Sequence, residues 1–231
     1  MDAVISIIIP AYNEEERIQT TIEDLCKNFT KKSYEIIVSA EDSTDETSNI
    51  VKKLMKKNKH IKLLNSNKTI RLGKGKSLQR GFEKSTGKII VFADADLSAN
   101  AKELKKLISF LNKYDVAIGS RAVKGSKVKA TQIRKFLGRG FIFGVNLLLN
   151  LNIKDTQCGY KAFKRDVLNN VFHKVISSGW EFDVELLWKI KKAKYTIIEV
   201  PINWIHKDKA KLKAIDIFNM GWGVLKIKWR S

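Results

Sequence analysis

The sequence predicts an α/β domain with a mostly parallel central sheet flanked by helices. Short β-branched runs alternate with amphipathic stretches through its first half, the pattern of strand and helix in alternation. Acidic residues stand just past several of the runs, at the strand ends where open α/β sheets bind ligands. A chain of 231 residues, 44% hydrophobic and 29% charged, can also bury one full core.

The elements follow in order. Val4 to Ile9 reads as a strand, and Ile18, Ile22, Leu25 and Phe29 recur at helical spacing. Glu35 to Val38 is a second strand, Ile50, Val51 and Leu54 mark a helix, and Ile61 to Leu64 is a third strand. A helix around Lys76 to Lys84 precedes the strand Lys88 to Phe92, and Leu104, Leu107, Ile108 and Leu111 mark the next helix before a strand at Val116 to Gly119. Beyond it the pattern is less regular: a long apolar helix from Ile133 to Leu149, a helix from Phe182 to Lys192, a strand from Ile197 to Trp204 and an amphipathic helix from Ile215 to Ile227. With 2 Pro and 13 Gly, no repeat and no low-complexity segment, the chain reads as one domain.

Charge narrows the partners. The excess of 44 Lys+Arg over 24 Asp+Glu, a formal +20, favours anionic ligands: nucleic acid, anionic lipid headgroups or phosphorylated small molecules. Cys26 and Cys158 make neither a disulfide framework nor a cysteine-based zinc site, so a reducing compartment is expected. The N-terminus lacks the basic flank and cleavage site of a signal peptide. The longest stretch without a charged residue, Gly140 to Ile153, falls short of the roughly 20 apolar residues of a spanning helix, so no transmembrane span is expected.

The sharpest local signal is Phe92-Ala93-Asp94-Ala95-Asp96-Leu97-Ser98. In an extended backbone Asp94 and Asp96 point to one side and converge beyond the sheet, where their mutual repulsion calls for a cation. Oxygen ligands with no His or Cys nearby suggest Mg²⁺ or Mn²⁺ shared with substrate phosphates. Pro10-Ala11-Tyr12-Asn13-Glu14 is either plain helix initiation or a nucleotide-binding loop at the end of the first strand. Glu41, past the second strand, is placed to accept hydrogen bonds from a base or ribose, although its neighbours Asp42, Ser43 and Asp45 are ordinary turn formers. Leu72-Gly73-Lys74-Gly75-Lys76-Ser77 is neither a dinucleotide fingerprint, because Leu78 stands where glycine is needed, nor a P-loop, because Ile70 does. It remains a basic loop able to bring Lys74 to a phosphate.

Together, "PAYNE", "AEDSTDET", "GKGKSLQRG" and "FADADLS" resemble the nucleotide-binding half of family 2 glycosyltransferases with the GT-A, Rossmann-like fold. Ile118-Gly119-Ser120-Arg121, "DTQCGYK" from Asp155, "WEFDVELL" from Trp180 and Pro201-Ile202-Asn203-Trp204 extend the resemblance to the dolichyl-phosphate sugar synthases, the glucose branch above all. The resemblance implies that Pro10, Ala11, Tyr12, Glu14 and Glu41 hold the nucleoside, that Asp94 and Asp96 hold the metal and donor diphosphate, and that Arg121 and Arg134 meet the acceptor phosphate. Residues 1–120 would then form a nucleotide-sugar half and 121–231 an acceptor half of a single domain. The sequence departs from the family at Ala40, where many relatives carry Asp, at Ser98, where mannose-transferring members often carry Gln, and in lacking the membrane segments of some relatives.

The implied reaction moves a hexose, UDP-glucose being the favoured donor, onto a polyprenyl or dolichyl phosphate with inversion. The alternative donor is GDP-mannose. Asp183 is then either catalytic or a structural carboxylate, since Phe182, Leu186 and Ile190 mark a buried helix face around it. From 211 to 231, Leu212, Ile215, Phe218, Trp222, Leu225 and Trp229 recur at three- and four-residue steps among basic residues. That pattern fits core packing or, as expected here, a peripheral seat on the anionic, cytoplasmic face of a membrane. A basic nucleic-acid-binding protein is disfavoured by the acidic strand ends, and a sugar nucleotidyltransferase by the lack of a glycine-rich N-terminal loop.

Overall fold

The structure is a computed structural model that describes residues 5–30, 33–40, 43–65, 73–96, 98–129, 132–179, 181–205 and 214–229, with side chains excepted at 129, 132–139 and 214–220. The runs ISIIIP and YEIIVS form β1 (Ile5–Pro10) and β2 (Tyr34–Ser39), buried on both faces as parallel strands are. β3 (Ile61–Leu64) and β4 (Ile89–Phe92) extend the parallel set on either side, giving β3-β2-β1-β4. The strand order reverses between β1 and β4, and the crevice at their carboxyl ends is where such sheets bind ligands.

Beyond β4 the seven-stranded sheet continues with β7 (Lys161–Lys164), β5 (Val116–Ser120) and β8 (Ile197–Pro201). β7 lies antiparallel between β4 and β5, a strand the sequence reading did not include. The single strand expected from Ile197 to Trp204 is two strands in different sheets. The chain leaves β8 at Ile202, whose N–H reaches the Ser120 carbonyl, and β9 (Asn203–Ile205) pairs with β6 (Lys127–Lys129) in a small parallel ribbon.

Side-chain alternation divides the core between the two faces of the sheet. Ile7, Ile9, Val91 and Ala93 join α1 (Ile18–Asn28), α2 (Thr47–Lys57) and α4 (Ala101–Ser109). Ile8, Ile90 and Phe92 join α3 (Gly73–Glu83), α5 (Gln132–Leu149), α6 (Arg165–Val171), α7 (Phe182–Lys192) and α8 (Ala214–Trp229). α4 starts where Asn100 accepts the Lys102 N–H at 3.0 Å, and its stripe of Ala101, Leu104, Leu107 and Ile108 is buried. α5 packs against α8, yet Phe143, Leu147, Trp222 and Trp229 on these helices are exposed. No helix among the described residues is long and apolar enough to cross a membrane. The expected amphipathic character of the last helix rests partly on Leu212, outside the described residues, and on side chains at 214–220 that are likewise outside them.

At the end of the sheet away from the crevice, Glu35 ties three segments together. Its carboxylate accepts from Ser6 Oγ at 2.6 Å, Lys62 Nζ at 2.7 Å, and the N–H and hydroxyl of Thr86 at 2.6 and 2.9 Å. Burial pushes this carboxyl up, but Lys62, Ser6 and Thr86 outweigh it and bring the pKa to about 2. Because the folded value lies below the unfolded one of about 4.3, the stabilisation is complete above that pH and is lost as pH falls toward the folded value. Glu35→Gln is therefore expected to lower the melting temperature at neutral pH and to flatten its acid decline. An unchanged acid limb in a melting series across pH would show that the clasp contributes nothing.

Candidate active site

The site forms at the carboxyl ends of β1, β2 and β4. Ala11 continues β1 by donating its N–H to the Ser39 carbonyl at 2.9 Å. The chain then turns at Asn13, which adopts a left-handed φ of 53°, and is laced to the segment after β2. Asn13 N–H donates to Ser43 Oγ at 3.2 Å, Glu14 N–H to Thr47 Oγ1 at 2.8 Å, and Thr44 N–H to Asn13 Oδ1 at 2.9 Å. Glu14 pairs with Arg17 at 2.5 Å, and Tyr12 is half-buried. Pro10 thus ends β1, and Ala11, Tyr12 and Glu14 follow it as a braced loop, whereas Glu41 lies outside the described residues.

Asp94 and Asp96 follow β4 on the other side, both half-buried. Asp96 accepts from the N–H and hydroxyl of Ser98 at 2.9 and 2.7 Å. Asp94 is seated against Gly159, where an added Cβ would fall inside van der Waals contact with both carboxylate oxygens. Burial raises the Asp94 pKa; Lys74 opposes the shift, Asp96 and Asp183 add to it, and the net direction is upward.

Three charged groups close behind this carboxylate. Lys74 Nζ lies 4.0 Å from Asp94 Oδ1 and donates to Asp183 Oδ2 at 2.8 Å. Lys161 Nζ donates to Asp183 Oδ1 at 2.7 Å and to the Cys158 carbonyl at 2.5 Å. Lys161 and Asp183 are buried, 0% and 1% exposed, so each requires the other. Burial alone would raise the Asp183 carboxyl, but Lys161 and then Lys74 hold it below the usual carboxylate range. Burial pulls Lys74 down, and Asp183 and Asp94 more than reverse it. Both oxygens of Asp183 are occupied by ammonium groups.

Local sequence explains how Lys74 arrives there. α3 begins at Gly73, with a left-handed φ of 75°, so Lys74 lies in a helical first turn rather than a loop. A Cβ on Gly75 would strike the Phe182 ring and the Ser177 carbonyl, and its N–H bonds the Ser178 carbonyl at 3.0 Å. The two glycines let α3 dock on the segment leading into α7 and so press Lys74 on Asp183.

Arg121, just past β5, forms the outer rim. Its Nε and Nη2 donate to Asp155 Oδ2 and Oδ1 at 2.7 and 2.9 Å, its N–H also reaches Oδ2 at 2.9 Å, and its guanidinium carbon lies 5.1 Å from the Trp204 ring centre. Burial would lower its pKa, but Asp155 raises it and Asp94 adds to the effect. Arg134 lies in α5 with its side chain outside the described residues. The structure therefore gathers Lys74, Asp94 and Asp183 in one contact network and sets Arg121 at its rim. Sequence reasoning singled out neither Lys161 nor Asp155. Both stand in the "DTQCGYK" stretch, and Lys161 is also a charge in a hydrophobic setting, beside Ala162 and Phe163. Burial pushes the nearby Cys158 thiol up to about 12, so it remains neutral packing.

No group of three or more His, Cys, Asp or Glu side chains able to hold a metal occurs among the described residues, so a divalent ion at Asp94 and Asp96 would need further oxygen ligands from phosphate or water. A doubly wound sheet with an antiparallel insert gives the chain a GT-A type α/β fold.

The profile of Glycosyl transferase family 2 matches residues 6–172, and the chain belongs to that family. It is a glycosyltransferase. The chain is 33% identical to the dolichyl-phosphate beta-glucosyltransferase of Saccharomyces cerevisiae over 94% of its own length and 71% of that protein's. It is 32% identical to the human protein of that name, over 90% of this chain and 69% of the other. The glycosyltransferase AglD of Haloferax volcanii is 30% identical over 98% of this chain, which spans only 37% of AglD. Among solved structures, glucosyl-3-phosphoglycerate synthase from Mycobacterium tuberculosis, in complex with Mn²⁺, UDP and phosphoglyceric acid, aligns with a TM-score of 0.75 at 19% identity. That alignment covers 97% of this chain and 77% of the synthase.

Proposed function

We propose that this enzyme transfers glucose from UDP-glucose to a polyprenyl or dolichyl phosphate, with inversion at the anomeric carbon. The Arg121 guanidinium carries the reading. Asp155 takes Nε and Nη2, the side chain is 29% exposed, and the Asp94 carboxylate acts on it, so a fixed, partly exposed cation stands within electrostatic reach of Asp94. A preset guanidinium suits an anionic acceptor. The names of the yeast and human relatives support the acceptor and the hexose, and the UDP and Mn²⁺ of the mycobacterial synthase fit the donor and the metal.

In this reading Pro10, Ala11, Tyr12 and Glu14, with Glu41, hold the nucleoside. Asp94 and Asp96 hold Mg²⁺ or Mn²⁺ with the donor diphosphate, and Lys74 meets the diphosphate from α3. When bound, the ion neutralises charge on the departing diphosphate. Arg121 and Arg134 orient the acceptor phosphate, which is anionic at neutral pH because its second pKa is about 6. No general base is needed, and Asp183, with both oxygens held by lysines, positions Lys74. Residues 1–120 supply the donor half and 121–231 the acceptor half.

The test is a panel of labelled UDP- and GDP-hexoses with a short polyprenyl phosphate and Mn²⁺. UDP-glucose should yield lipid-linked product, and Asp96→Asn should suppress it far more than it lowers thermal stability. Preferential use of GDP-mannose would overturn the donor, and no lipid-linked product from any donor would overturn the reading.

The acceptor's lipid tail calls for a membrane seat. Phe143, Leu147, Trp222 and Trp229 are exposed on the packed pair α5 and α8, with Lys226 over the Trp222 ring at 5.8 Å and Lys228 alongside. Aromatic and basic side chains on one helix suit the interface of an anionic leaflet, each cation adding roughly 1 kcal/mol near the surface. Co-sedimentation with liposomes is expected to require anionic lipid and to weaken with salt and with Trp222→Ala and Trp229→Ala together. Equal binding to neutral and anionic vesicles, or binding to neither, counts against it.

A further inference from the structure

Arg121 is held by Asp155, but Asp155 is on a segment between α5 and β7 with no regular structure of its own. What holds that segment is Glu199 of β8, a residue in none of the motifs considered above. Its Oε1 accepts the Asp155 N–H at 3.0 Å and the Ser120 hydroxyl at 2.7 Å, and its Oε2 accepts the Lys154 N–H at 2.9 Å. One carboxylate thus binds two successive amides of the segment carrying Asp155 and the residue immediately before Arg121. Ser120 is fully buried and Asp155 is 5% exposed, so the bonds to Oε1 are partly shielded from water, whereas the Lys154 bond is exposed. The same stretch of chain supplies the second support, because five residues on, past the crossing at Ile202, Trp204 lies against the guanidinium.

We propose that Glu199 is a positioning residue for acceptor transfer: it fixes Asp155 relative to the end of β5, and Asp155 then sets the direction in which Arg121 presents its guanidinium. Glu199 touches no substrate in this scheme. It rests on the reading of Arg121 as the acceptor-phosphate residue. The physical reason is angular: an arginine forked on a carboxylate points where the carboxylate points, and a displacement of about 1 Å at a reacting group can cost on the order of a hundredfold in rate. Glu199 lies on the edge strand of the sheet and is only half-buried, so its replacement leaves the two core clusters intact.

The experiment measures steady-state kinetics of the full chain with UDP-glucose, Mn²⁺ and a short polyprenyl phosphate for the wild type, Glu199→Gln, Glu199→Ala, Arg121→Ala and the double variant Arg121→Ala/Glu199→Ala, with melting temperatures alongside. Glu199→Ala should lower kcat/KM for the acceptor by roughly ten- to hundredfold while leaving KM for UDP-glucose unchanged. Glu199→Gln, which keeps one acceptor oxygen for Ser120 and Asp155, should recover most of the loss. In the Arg121→Ala background the second substitution should add nothing, because the group it positions is gone. A Glu199→Ala loss of the same size with and without Arg121, or a proportionate rise in KM for UDP-glucose, would show a general structural role and overturn the proposal. Should Glu199→Ala melt below the assay temperature, Glu199→Leu, which keeps the bulk of the side chain but has no acceptor oxygen, takes its place in the same comparison. An Arg121→Ala enzyme with wild-type acceptor kinetics would instead sink the assignment of Arg121 itself, and this inference with it.

Discussion

Asp183→Ala is expected to lose about 3–5 kcal/mol of stability, the cost of leaving a buried charge without its partner. Lys161 is 0% exposed and, among the described residues, its ammonium bonds Asp183 and the Cys158 carbonyl, so with the carboxylate gone it is left in a dry site without its counter-charge. Urea denaturation measures the loss. Replacing the pair together, Lys161→Met with Asp183→Leu, should restore much of it, because a well-packed apolar pair can equal a buried ion pair. That double variant should still be a poor enzyme, since Lys74 has lost the carboxylate that holds it near Asp94. An Asp183→Ala protein as stable as the wild type would mean that the network is slack.

Gly159→Ala separates chemistry from stability in the opposite sense. Gly159 does not adopt a left-handed φ, so alanine fits its backbone, but the new methyl would occupy the space of the Asp94 oxygens. The side chain of Asp94 must rotate away from its place opposite Lys74. We expect Mn²⁺-dependent kcat/KM to fall by about a hundredfold with the melting temperature nearly preserved. The substitution adds one carbon and removes no functional group. Wild-type turnover in this variant would show that Asp94 can move without consequence.

How legible these features were follows from where their partners lie. β1 and β2 announce themselves because ISIII and YEIIV are continuous apolar runs, and the carboxylates after β4 because the end of such a run is an improbable place for two like charges. β7 was hidden because KAFK offers only two apolar residues between lysines, one of which is buried by an ion pair 22 residues away in the chain. The break at Ile202 is marked locally only by Pro201: Ile197 to Trp204 is otherwise mostly apolar, interrupted by Glu199 and Asn203, and so reads as one strand, whereas the chain changes sheet where the Ile202 N–H reaches the Ser120 carbonyl. At the site, the glycines around Lys74 read as loop residues because glycine marks turns in general, whereas here they permit a helix to approach another segment. Lys161 and Asp155 stand in the "DTQCGYK" stretch, but their roles, like that of Glu199, were not legible there, since each acts through residues distant in sequence.

The placement of β7 also dictates an order of assembly. β4 needs β7 on one side, and both neighbours of β5, β7 and β8, come later in the chain. While the polypeptide is being made, β1 to β4 can gather as a parallel unit, but β4 remains an open edge of Ile-Ile-Val-Phe until residue 164 has emerged. β5 gains β7 at the same point and waits for its second neighbour, β8, until residue 201. Closing the sheet is thus a late, long-range event, of the kind that slows folding and leaves apolar strand edges open to pairing with other chains.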